Sequence, residues 1–90
     1  QFSAAKSSIK SKSFEDDKMT LAKQITNSQC LTTDQVKQVM DLFTFEETKL
    51  DWAKMAYDKT YDIGNYWMLN DNFTFSSSID ELNTYIESRR

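Results

Sequence analysis

Apolar positions along the chain recur every three or four residues and are separated by short polar stretches, the spacing that lays one apolar stripe along an α-helix. Phe2, Ala5 and Ile9 make the first stripe and predict a helix over Ser3–Lys12. A second helix is predicted over Phe14–Asn27, a third over Thr33–Leu42 through Val36, Val39 and Phe43, and a fourth, the longest, over Phe45–Tyr61. A short fifth falls near Gly64–Asn70, and a sixth over Ile79–Ser88 aligns Ile79, Leu82 and Ile86. Phe45, Leu50, Trp52, Ala53, Ala56, Tyr57 and Tyr61 cover a wide arc of the fourth helix, which places it centrally, with neighbours on two sides. Three candidate capping boxes, Thr32-x-x-Gln35, Thr44-x-x-Glu47 and Ser78-x-x-Glu81, each precede or open an apolar run. There is no proline and one glycine, so tight hairpins are disfavoured and helices joined by polar turns are expected.

The stretches "SFEDDKMTLAK" at Ser13–Lys23 and "TFEETKLDWAK" at Thr44–Lys54 repeat one pattern, superposing Phe14 on Phe45, Glu15 on Glu46, Lys18 on Lys49 and Ala22 on Ala53. A weaker third copy follows, with Phe43-Thr44-Phe45 echoed by Phe73-Thr74-Phe75 and Val36 and Val39 by Tyr66 and Leu69. A period of about 30 residues is that of a helix-turn-helix unit. The fold class expected is therefore all-α, five or six short helices stacked as repeated helix-turn-helix pairs. One domain over residues 1–90 divides into an N-terminal helix (1–12), a first repeat (13–43), a second (44–73) and a partial third (74–90). The equivalent alanines would let neighbouring helices approach closely, and the aromatic that opens each copy would plug the corner between pairs.

A composition of 39 % apolar and 28 % charged residues is that of an ordinary globular domain. Net charge is −3, with Lys6, Lys10 and Lys12 and no acid in the first twelve residues, and five acids against two arginines from Asp62 to Arg90. A nucleic-acid partner calls for the opposite balance and is not expected. No apolar run reaches the ~18 residues of a membrane span. The lone Cys30 has no internal disulfide partner and is expected to be a buried, inert thiol. The chain begins at Gln1 without an initiator methionine, which favours a piece of a longer, exported protein.

The segments "LTTDQV", "LFTFEETKLDWAKMAY", "DIGNYW" and "FSSSIDEL", within Ala22–Ile86, resemble an uncharacterised bacterial family of the domain-of-unknown-function series, DUF4476, common in Bacteroidetes. The resemblance implies a compact helical domain, often attached to an exported polypeptide: periplasmic, envelope-associated or extracellular. It implies no activity.

The residues themselves point away from catalysis. Histidine is absent, which leaves Cys30 without a base, and no Cys or His cluster exists to hold zinc. No cofactor is implied. Asp58, Asp62, Asn65, Asn70, Asp71 and Asn72 are close in sequence, but an EF-hand loop begun at Asp58 meets Ile63 at its sixth position and Leu69 at its twelfth, where Gly and Glu are required. Lys18 and Lys49 follow Glu15 and Glu46 by three residues, a spacing for stems along the core with paired ammonium groups. The aromatic group Trp52, Tyr57, Tyr61, Tyr66 and Trp67 is the candidate interaction surface, because Tyr and Trp combine a large apolar face with a polar tip. The expected function is a noncatalytic module that mediates contacts with an unidentified protein partner or spaces a larger exported protein. The alternative is a peptide or small ligand held in a groove lined by Trp52, Tyr61, Tyr66 and Trp67. A hydrolase would need Asp58 and Asp62 to face each other in a cleft.

Overall fold

The computed structural model describes residues 2–89, so the outermost residue at each end of the expected 1–90 domain lies outside it. Five α-helices are present: α1 (Phe2–Lys10), α2 (Glu15–Ser28), α3 (Thr33–Met40), α4 (Glu46–Ala56) and α5 (Ser76–Ser88). A 3-10 turn at Tyr57–Lys59 and a longer 3-10 helix at Ile63–Asn72 separate α4 from α5. The fold is all-α. The described residues form no strand, only an isolated bridge in which the Leu31 amide donates to the Lys59 carbonyl and the Tyr61 amide to the Leu31 carbonyl, each at 2.8 Å.

Helix α4 ends at Ala56 rather than continuing to Tyr61. Its ladder tightens into the 3-10 turn, the Thr60 hydroxyl donates to the Ala56 carbonyl at 2.7 Å, and the chain extends at Thr60 to meet Leu31. That extended meeting also decides Cys30. Leu31 takes the buried position, and the neighbouring side chain in extended backbone points the other way, so Cys30 is exposed instead of buried as expected.

Packing places α1, α3 and the long 3-10 helix side by side, and α2, α4 and α5 side by side, with α1 against α2 and α3 against α4 across the gap. The core lies in that gap. Trp52, Leu31, Met40, Leu69, Leu82, Val36 and Val39 are fully enclosed, and the Trp52 indole N–H donates to the Val36 carbonyl at 2.9 Å, tying α4 to α3. Ala22, Ala53 and Ala56 are also fully buried. No buried side-chain polar atom among the described residues lacks a hydrogen-bond partner.

Of the three predicted capping boxes, the one at Thr32 forms: its hydroxyl accepts from the Gln35 amide at 3.2 Å, and the Gln35 side chain accepts from the Thr32 amide at 3.0 Å. The other two do not, because α4 and α5 are capped from another helix. Phe45 and Phe75 occupy their N-cap positions without a side-chain cap. Glu15 of α2 accepts from the amides of Thr44 and Phe45, at 2.9 and 3.1 Å. Glu46 of α4 accepts from the amides of Thr74 and Phe75 at 3.0 Å and from the Ser78 hydroxyl at 2.7 Å. Thus α2 supplies the acceptor for the orphan amides of α4, and α4 for those of α5. The α5 counterpart of Glu15 and Glu46 is Ser76.

The aromatics opening each copy do not plug the corners. Phe14, Phe45 and Phe75 are 71, 61 and 59 % exposed, whereas Phe43 and Phe73, two residues before the last two, are buried. In Phe43-Thr44-Phe45 and Phe73-Thr74-Phe75 the backbone preceding the helix is extended at the cap. Which phenylalanine enters the core is set by contacts from neighbouring helices; Phe43, for instance, lies 6.3 Å from Trp52 between ring centroids.

Candidate functional site

The five aromatics singled out from the sequence divide into two groups. Trp52 is enclosed completely and Tyr57 and Tyr66 nearly so. Tyr57 and Tyr66 pack edge to face at 5.2 Å between ring centroids, and the Tyr66 hydroxyl donates to the Ala53 carbonyl at 2.5 Å. Burial pushes the Tyr66 phenol well above the usual tyrosine range, against the Thr60 side chain, which pulls it down. These three residues are therefore structural: Trp52 joins α4 to α3, and Tyr57 and Tyr66 join the end of α4 to the 3-10 helix. Tyr61 and Trp67 are the exposed members.

Trp67 is 66 % exposed and Ile63 46 % exposed. Both lie on the 3-10 helix. They border a groove of about 230 Å³ between that helix and α5, with Leu82 and Ile86 on the α5 side and the rings of Tyr57 and Tyr66 contributing to its walls. Gly64 also borders the groove and has open space where a Cβ would project. Trp52 and Tyr61 are not among its walls. Ile63 was not singled out from sequence, because the predicted fifth helix began after it, at Gly64. Its exposure follows from the absence of a neighbouring element over it.

Asp58 and Asp62, the acids a hydrolase would have to pair, are each occupied by structure. The Asp62 carboxylate accepts from the Thr33 amide at 2.7 Å and from the Asn65 side chain at 2.9 Å, and these bonds, with the Asn65 contact foremost, hold its carboxyl below the ordinary range. Asp58 instead meets Arg89, whose Nε donates to it at 3.3 Å, so the two acids engage different partners rather than each other. Asn72 donates to Asp41. No group of three His, Cys, Asp or Glu side chains converges among the described residues. Lys18 lies 3.6 Å from Glu15 and donates to the Leu42 carbonyl at 2.8 Å, so its charge is engaged at both the pair and a helix end. Among the described residues no helix is long and apolar enough to cross a membrane.

No curated protein and no solved structure matches the chain. The model of a family described as a domain of unknown function, DUF4476, matches residues 1–86, and the chain belongs to that family.

Proposed function

We propose that this domain is a noncatalytic helical module that makes protein contacts through the face carrying Ile63 and Trp67. The observation that carries the reading is the exposure of Trp67 beside Ile63 at the mouth of the groove between the 3-10 helix and α5, whose walls mix apolar side chains with Asn70 and Asn83. Tryptophan is enriched among residues that anchor interfaces, and an exposed apolar patch bordered by polar groups is the usual form of such a surface. A small-molecule site is the weaker reading, because the groove's volume of about 230 Å³ falls below the ~300 Å³ at which ligand pockets begin. The family resemblance supports a place in an exported or envelope-associated polypeptide.

The test compares the purified domain with an Ile63→Ser, Trp67→Ser variant as bait against an envelope extract of the native organism, after circular dichroism has shown equal helicity. Both side chains are exposed, so the variant is expected to fold. A protein retained by the first and lost with the second supports the reading. Equal retention by both, or none by either, counts against this face as the contact surface.

A further inference from the structure

The two ends of the helical array carry matching unfinished faces. Aligning the copies by their period sets Thr33, Met40, Ala53 and Ala56 of α3 and α4 against Ile63, Asn70, Asn83 and Ile86 of the 3-10 helix and α5. The first four are completely buried. Groups from the C-terminal part of the chain bond to two of them: Asp62 receives the Thr33 amide and Tyr66 donates to the Ala53 carbonyl. Their four counterparts all line the groove beside Trp67. The groove is thus the face that the middle of the array hides beneath the next pair of helices.

The same correspondence holds at the other end. Val36, Val39 and Trp52, and likewise Tyr66, Leu69 and Leu82, are buried. Their counterparts in α1 and α2 are Ala5, Ser8 and Leu21, which are not fully buried and line a second groove of about 260 Å³ with Ile25. One end presents large side chains and the other small ones. Charge runs the same way, from the acid-free basic first twelve residues to the predominantly acidic stretch 62–90.

Resting on the contact reading above, we propose that the partner of the Trp67 face is the α1/α2 face of a second copy of this chain, joined head to tail. By the same alignment Ala5, Ser8 and Leu21 of the added copy seat in the groove of Ile63, Asn70, Asn83 and Ile86, and Trp67, which stands where Lys37 does in the preceding pair, closes over its rim. Such a contact is heterologous: each molecule keeps one open end, so assembly continues past the dimer. The intermolecular junction lacks one feature of the internal ones. Ser76 stands where Glu15 and Glu46 hold the amides of the following helix, so the amides of Ser13 and Phe14 of the added copy receive no carboxylate.

The experiment is sedimentation of the 90-residue chain over a wide concentration range, with Trp67→Glu and Ser8→Glu variants, each altering an exposed position at one end. The wild type is expected to grow in mass with concentration without stopping at a dimer. Each variant is expected to associate at least ~30-fold more weakly, the loss of one interface anchor. An equimolar mixture of the two should form a dimer, because each keeps the face the other lacks. Ser76→Glu should tighten assembly, by about 3- to 10-fold if it restores an N-cap acceptor. A wild type that stays monomeric to about millimolar, the weakest range of specific association, overturns the proposal, as does a closed dimer, a mixture that fails to pair or a Ser76→Glu variant that associates no better. Retention of a different protein through Trp67 by a monomeric wild type would overturn the second copy as partner while leaving the contact reading intact.

Discussion

Replacing Glu46 with glutamine removes the one carboxylate on which α5 depends at its start. The Glu46 side chain accepts from two backbone amides and one hydroxyl, all at 2.7 to 3.0 Å. Glutamine keeps the length but offers one acceptor oxygen and turns an NH2 toward donors. A buried hydrogen bond to a charged group contributes about 1.5–3 kcal/mol. Glu46 is half-buried, so water takes over part of that, and the loss of a helix N-cap, about 1–2 kcal/mol, is the better measure. For a domain of this size the melting temperature should fall by roughly 5–15 °C.

Partial burial of Glu46 raises its carboxyl pKa, but the amides of Thr74 and Phe75, the Ser78 hydroxyl and nearby Lys49 together outweigh it and leave the group below the ordinary value of 4.5. A lowered folded-state pKa means that the unfolded chain binds more protons in that window, so the contribution is complete above pH 4.5 and is lost as pH falls through the folded value. Urea denaturation of wild type and Glu46→Gln at pH 7 and near pH 3, both followed by circular dichroism, should therefore show a gap at neutral pH that closes in acid. Equal stability at pH 7, or a gap of the same size at both pH values, would refute the assignment of Glu46 as an anionic cap.

Trp52→Ala should cost about 3–5 kcal/mol, the usual loss for an enclosed large aromatic, read as a fall in the denaturation midpoint. Tyr66→Phe keeps the ring but deletes the donor to the Ala53 carbonyl; a loss of about 1 kcal/mol in urea titration is expected, and no loss would mean that water replaces the hydroxyl. Gly64→Ala adds a Cβ into open space at a position without positive φ and should stabilise the domain by about 0.4–1 kcal/mol through the unfolded chain. Cys30, exposed in the folded domain, should react with a thiol reagent under native conditions; reaction only after addition of urea would contradict its placement.

The local determinants were legible in the sequence. Helical spacing, the absence of proline, the Thr32 cap and the acids that open α2 and α4 are properties of residues within a few positions of one another, and they decide that the chain is all-α. Helix ends were less legible: α4 stops at Ala56 because Thr60 meets Leu31, a contact between residues far apart in the chain. Glu15 and Phe45, and Glu46 and Phe75, are likewise far apart in the chain, so acids that read from the sequence as partners of Lys18 and Lys49 proved to cap α4 and α5. Burial of particular side chains was decided only by packing. Trp52, Tyr57 and Tyr66 share composition with Tyr61 and Trp67, yet the first three lie under neighbouring helices and the last two do not. Alternation within Phe-Thr-Phe marks two like-facing phenylalanines, and only the arrangement of the helices around them sends Phe43 and Phe73 inward and leaves Phe45 and Phe75 in water. Periodicity assigns a side chain to a face of its own helix; which faces are covered depends on where the other helices stand.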